Sequence, residues 1–182
     1  MALKPGEMAV IAGHNGSGKT TLLEAVAGLG VFCGGGIEYN ASDQPDAWLN
    51  DSHYIGHSLG NKASLTCLEN LNFAATINGV RCQEQQLSDT LAQVGLAGYE
   101  YHYASDLSAG QKKRLALSRL LVLNTTYWLL DEPFVNLDVA GCDWLFECIS
   151  EHIRSGGAAL LTAHDNKRIH QQANHLIQLE RP

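Results

Sequence analysis

No apolar run in this sequence approaches the ~18 residues that a membrane-crossing helix needs, so the chain itself is not expected to insert into a bilayer. The opening residues, Met1 to Gly6, read Met-Ala-Leu-Lys-Pro-Gly and lack the apolar stretch of a secretory leader. Cysteine is sparse and unpatterned: five residues, at 33, 67, 82, 142 and 148, an odd count without a Cys-x-x-Cys pair. That excludes a disulfide framework and a cysteine-based zinc site. Basic residues are in deficit, twelve against nineteen acidic ones, for a net charge of −7. A protein held on nucleic acid or anionic lipid by bulk charge has the opposite balance. Internal repeats and Pro- or Ser-rich linkers are missing too. What remains is 182 residues, 45% of them hydrophobic, enough to close the core of one domain. A soluble, reduced, cytoplasmic domain is expected.

The apolar pattern alternates between short runs and helical spacing. Met8–Ala12 is short enough for a buried strand, and Leu22, Leu23, Val26 and Ala27 then recur at helical intervals over Thr20–Ala27. Further strands are expected at Ile37–Tyr39, His53–Gly56, Trp128–Leu130, Ala158–Ala163 and Leu176–Leu179. Helical spacing runs from about Cys67 to Val94, over Gly110–Leu123 and over Val139–Ser155, with a connector between Gly95 and Asp106. Strands alternating with helices predict an α/β fold with a parallel sheet. The helix-only stretch, about 67–123, would be a small helical lobe inserted on that sheet, within one domain covering 1–182.

Gly13-His14-Asn15-Gly16-Ser17-Gly18-Lys19-Thr20 fits Gly-x4-Gly-Lys-[Ser/Thr] directly after a strand and at the start of a helix. Glycines there let successive backbone N–H groups turn inward around a phosphate, and the helix start adds its positive dipole end. Lys19 is placed to reach the β- and γ-phosphates and the Thr20 hydroxyl to ligate Mg²⁺, with Thr21 beside it on the nucleotide. The apolar run Tyr127–Leu130 ends in two acids. A parallel strand finishing beside the phosphate loop would bring Asp131 to the Mg²⁺ shell and turn Glu132 toward an attacking water as general base. His164 ends the buried run Ala159–Ala163 and can hydrogen-bond a γ-phosphate. Ser108, flanked by small residues before the Lys112-Lys113-Arg114 helix, is either a second phosphate-binding device or simply a helix N-cap.

Taken in order, the phosphate loop, Leu107-Ser108-Ala109-Gly110-Gln111, Asp131-Glu132, Asn136-Leu137-Asp138 and His164 resemble the ATP-binding cassette (ABC) ATPases, over nearly the whole chain. The resemblance implies a P-loop fold and ATP with Mg²⁺ sandwiched in a head-to-tail homodimer. Ser108, Gly110 and Gln111 of one copy would then face Lys19 of the other, with Asp138 coupling the two sites. Glu132 would be the general base and His164 the γ-phosphate sensor. The stretch Tyr54-Ile55-Gly56-His57 through Thr66-Cys67-Leu68-Glu69-Asn70-Leu71 is similar to the haem-exporter ATPases of cytochrome c maturation. There His57 stands nine residues before Thr66, where most ABC ATPases carry a Gln that contacts Mg²⁺ or water. The resemblance implies an integral membrane permease as partner, a peripheral position on the cytoplasmic face of the bacterial inner membrane, and no nucleic acid. Another ABC transporter, or a weakly active truncated subunit, are the alternatives it leaves. Only twelve residues precede Gly13 and none is aromatic. The family's first strands and its adenine-stacking residue are therefore expected to be missing from a gene model that begins too late.

Overall fold

The structure is a computed structural model that describes residues 2–30, 34–38, 47–163 and 167–180. Five strands form one sheet: β1 (Met8–Gly13), β2 (Ser52–Ile55), β3 (Tyr127–Leu130), β4 (Ala158–Thr162) and β5 (His175–Leu179). Every pairing is parallel and the order is β2-β3-β4-β1-β5. β4 is buried at all five positions and β1 at its first five, which is why both read as continuous apolar runs instead of alternating ones.

The helices are α1 (Lys19–Val26), α2 (Ala47–Asn50), α3 (Cys67–Ile77), α4 (Glu84–Gln93), α5 (Ala109–Leu117), α6 (Arg119–Val122), α7 (Val139–Arg154) and α8 (Lys167–Gln172). The chain divides into two compact units, one of residues 1–57, 125–133 and 146–182, the other of 58–124 and 134–145. In the first, Leu23 of α1 packs with Ala9, Ile11, Leu129 and Leu160 of the sheet, bordered by Trp48, Tyr54 and Ile177. In the second, Cys67 and Leu71 of α3 pack with Leu87 and Leu91 of α4, Leu107 and Leu115.

The region of helical spacing from about Cys67 to Val94 is two helices. Val80 N–H turns back to the Ala75 carbonyl and Gly79 adopts φ +73, ending α3 in a left-handed turn. Gln83 and Gln86 then open α4 with a reciprocal capping box. The stretch over Gly110–Leu123 likewise divides at Ser118, whose hydroxyl bonds the Leu115 carbonyl. The strand expected at Ile37–Tyr39 is not formed at Ile37 and Glu38, and Tyr39 lies outside the described residues.

The motif Thr66-x-x-Glu69-Asn70-Leu71 has a separate physical task at each place. Thr66 and Glu69 cap α3 reciprocally, Glu69 N–H to Thr66 Oγ1 at 3.2 Å and Thr66 N–H to Glu69 Oε2 at 2.8 Å. Asn70, buried, donates from Nδ2 to the carbonyls of Lys62, Leu65 and Thr66 and accepts from the Lys62 N–H. It thereby holds the 62–66 loop to α3, while Leu71 enters the core.

Candidate active site

Register decides which chemistry meets at the sheet's edge. Leu130 pairs with Leu161, and Leu161 with Val10, so the carboxyl ends of β3, β4 and β1 lie side by side. In parallel α/β sheets this is the edge where ligands bind. It carries the phosphate loop after β1, Asp131-Glu132 after β3 and Thr162 at the end of β4.

The loop allows no other residue at its first position. A Cβ on Gly13 would lie 2.6 Å from Ser17 Oγ and 2.7 Å from the Leu179 carbonyl, at a backbone φ of +153°. Gly16 and Gly18 also take positive φ, Gly18 as the residue preceding α1. Lys19 is buried, and its ammonium is centred over the loop by the carbonyls of Gly13 at 2.9 Å and His14 at 3.0 Å. His14, Asn15, Gly16, Thr20 and Thr21 are exposed around it. The Ser17 hydroxyl is buried and takes no hydrogen bond from the described residues. A buried donor of that kind suits a ligand oxygen.

Asp131, 4% exposed, is gripped from two elements. Thr20 of α1 donates to its Oδ2 at 2.9 Å and Thr162 of β4 donates to its Oδ1 at 2.6 Å. Thr162 Oγ1 in turn accepts the Glu132 N–H at 2.7 Å. One buried hydroxyl thus fixes both the Asp131 carboxylate and the backbone of the next residue. That backbone is unusual: Glu132 sits at φ 41, in the left-handed region that non-glycine residues seldom enter. The oxygen donors of Thr20 and Asp131 form a hard set, which fits Mg²⁺. Tyr54 lies in the same unit with its hydroxyl buried and unpaired among the described residues. Burial foremost, then the charges of Asp131 and Glu24, push its phenol up to about 12.

Sequence reasoning missed Thr162. Its one visible signal is a hydroxyl in the apolar run Ala158–Ala163. His57 lies exposed just past β2, and His164 falls outside the described residues.

The other unit gathers the remaining candidates. Ser108 is the N-cap of α5: its Oγ accepts the Gln111 N–H at 3.3 Å and its N–H donates to Gln111 Oε1 at 2.9 Å. Gly110 approaches the Asn136 carbonyl so closely that a Cβ would stand 3.0 Å from it. Asp138 Oδ1 accepts the Gly141 N–H at 3.0 Å and lies 2.5 Å from an Arg114 nitrogen. The backbone bond first, then Arg114, hold its carboxyl below the usual range. Arg114 also donates to the Val94 carbonyl at 2.9 Å. Ser108, Gly110, Gln111 and Asp138 therefore belong to one surface of this unit, tied together by Arg114 and Asn136.

Comparison with known proteins gives the family. The ABC transporter family profile matches residues 1–135. The cytochrome c biogenesis ATP-binding export protein CcmA of Xanthomonas axonopodis pv. citri is 47% identical over 163 residues, 87% of this chain and 74% of that protein. CcmA of Methylococcus capsulatus is 41% identical over 167 residues, 90% of this chain and 81% of that protein. Among solved structures, an ATP-binding subunit of an ABC transporter superposes with a TM-score of 0.89 at 25% identity, covering 99% of this chain and 77% of that one. A dimeric cassette, MJ0796 with ADP and Pi, superposes at 0.85 and 22% identity over 99% of this chain and 84% of that one, a likeness of fold. On the profile match and on two relatives that share more than two-fifths of their aligned residues with it, the chain belongs to the ABC transporter family.

Proposed function

We propose that this chain is the ATP-hydrolysing subunit of an ABC transporter that exports haem for c-type cytochrome biogenesis. The observation that carries the hydrolytic part is the bonded set Thr20–Asp131–Thr162–Glu132 beside the phosphate loop. The export assignment rests on the CcmA relatives.

In this reading the loop N–H groups, the start of α1, Lys19 and the Ser17 hydroxyl bind the phosphates of ATP. Thr20 and Asp131 would hold Mg²⁺, which would supply charge neutralisation for the phosphates. Thr162 keeps Asp131 oriented, and anchors the backbone from which the Glu132 carboxylate orients and deprotonates water. The reading also assigns His164, which lies outside the described residues, to sensing the γ-phosphate. His57 takes the place usual for Gln, where an imidazole can accept from water or donate to phosphate.

The site is completed by a second copy, arranged head to tail, whose Ser108, Gly110 and Gln111 face the γ-phosphate while Asp138 couples the two sites. Val135 and Val139, 51% and 81% exposed on either side of Asp138, supply apolar area for that interface. In this reading the chain works with a separate integral membrane permease; no helix among the described residues is long and apolar enough to cross a membrane. The chain would sit peripherally on the inner membrane through that partner, which docks on exposed Phe73 and Ile77 of α3.

Glu132→Gln tests the assignment. Hydrolysis is expected to fall by ~10² or more while ATP still binds and now holds the dimer together. Equal rates for variant and wild type would remove Glu132 from the chemistry.

A further inference from the structure

In the unit of residues 58–124 and 134–145, α3 presents Phe73 and Ile77 four residues apart, one above the other on the helix. They border a groove of about 130 Å³ walled also by Lys62, Asn70, Leu115 and Arg119. Among the described residues Arg119 is held by neutral acceptors: its Nε donates to the Ala116 carbonyl at 3.1 Å, and a terminal nitrogen to the Leu59 carbonyl. Gly60, at φ +69, makes room for the other terminal nitrogen, which a Cβ there would approach to 3.3 Å. Among the described residues no carboxylate pairs with Arg119 or Lys62. Burial pushes the Arg119 guanidinium down to about 10, which leaves it charged at neutral pH. The Lys62 ammonium stands 5.8 Å from the centre of the Phe73 ring.

A sheltered cation bonded only to carbonyls is poorly compensated, and an anion that reaches it in a groove is bound more strongly than on open surface. Two cations beside two apolar side chains define the complement: one carboxylate with apolar neighbours. We infer that the docking segment of the membrane subunit carries an Asp or Glu whose carboxylate becomes the counter-ion of Arg119 and Lys62, with flanking apolar side chains seated on Phe73 and Ile77. This rests on reading the chain as a transporter subunit. A net charge of −7 disfavours a broad anionic lipid surface but admits a single peptide carboxylate.

The test is capture of the full chain by its tagged, co-expressed membrane subunit at about 50 and about 500 mM NaCl. Wild-type capture is expected to fall at least tenfold at high salt. Lys62→Gln and Arg119→Gln lose about as much already at low salt. Arg119→Lys retains most of it, and isolated Lys62→Gln melts and hydrolyses ATP as wild type does. Retention of both Gln variants, with loss only for Phe73→Ser and Ile77→Ser, would show an apolar dock without a carboxylate and overturn the inference. So would binding of the chain to phosphatidylglycerol–phosphatidylcholine vesicles that Lys62→Gln abolishes. Wild type escaping capture at both salts overturns the transporter reading itself, and this inference with it.

Discussion

Thr162→Val separates the buried relay from ordinary packing. Valine nearly matches threonine in volume, so no cavity opens at this fully buried position, and the change removes only the hydroxyl. Two bonds go with it, 2.6 Å to Asp131 Oδ1 and 2.7 Å from the Glu132 N–H. Each buried partner stripped in this way costs ~1–3 kcal/mol, and Asp131 keeps Thr20, so a loss of about 3 kcal/mol is expected. At ~2–4 °C per kcal/mol for a chain of this length, the melting temperature drops by roughly 10 °C. Hydrolysis suffers separately. Glu132 loses the anchor that helps hold it at φ 41, and in its proposed role as general base a displacement of ~1 Å costs ~10² in kcat. Thr162→Ser keeps the hydroxyl and gives up one methyl, about 1 kcal/mol, so it should hydrolyse ATP at close to the wild-type rate. Melting curves and steady-state ATPase rates on the three proteins decide the matter. A Val variant that melts within about 2 °C of wild type, or a Ser variant as slow as Val, would refute the relay.

Asn70→Ala removes four hydrogen bonds from a buried amide and should cost about 3 kcal/mol in a urea titration, with new protease cleavage in the 62–66 loop; a loss under ~1 kcal/mol would mean the loop holds itself. His152 of α7 stacks on Trp128 at 3.7 Å and donates from Nε2 to the Thr126 carbonyl. Burial foremost lowers its pKa from the ordinary 6.5. The unfolded chain therefore takes up the proton first, and stability is lost as pH falls through and below about 6.5. The carboxylates of Glu7, Glu69 and Asp138, all lowered, act only in a more acidic window, below their ordinary values. Melting temperature should thus decline from pH 7 toward 5.5 in wild type and more gently in His152→Gln. Identical slopes would remove His152 from the pH response.

The elements at the carboxyl edge of the sheet were legible because their residues are contiguous. Gly13 to Thr20 lie in one run, and two acids end one apolar strand. Thr162 was hidden for the opposite reason. Its function comes from register, which sets β4 beside β3, and a lone threonine in a buried strand has no periodicity of its own. The same limit hid the break after Ile77. Apolar spacing continues across Gly79 as if the helix did, while the left-handed turn and the Gln83–Gln86 box that end one helix and start another are backbone events. For Ser108 the sequence left two readings. The structure displays the N-cap, and the same hydroxyl still has a proton to donate, so a second copy can use it without dismantling the cap.

The left-handed backbone at Glu132 also bears on how the protein can decay. A single base change in a glutamate codon yields Gln, Lys, Gly, Ala, Val or Asp. At φ 41 glycine is unstrained and aspartate tolerable, whereas valine meets its own backbone. Lineages that lose hydrolysis but retain the folded subunit should therefore pass through Gly, Asp or Gln at this position and avoid β-branched residues. A paralogue with valine here would have lost the local conformation along with the carboxylate.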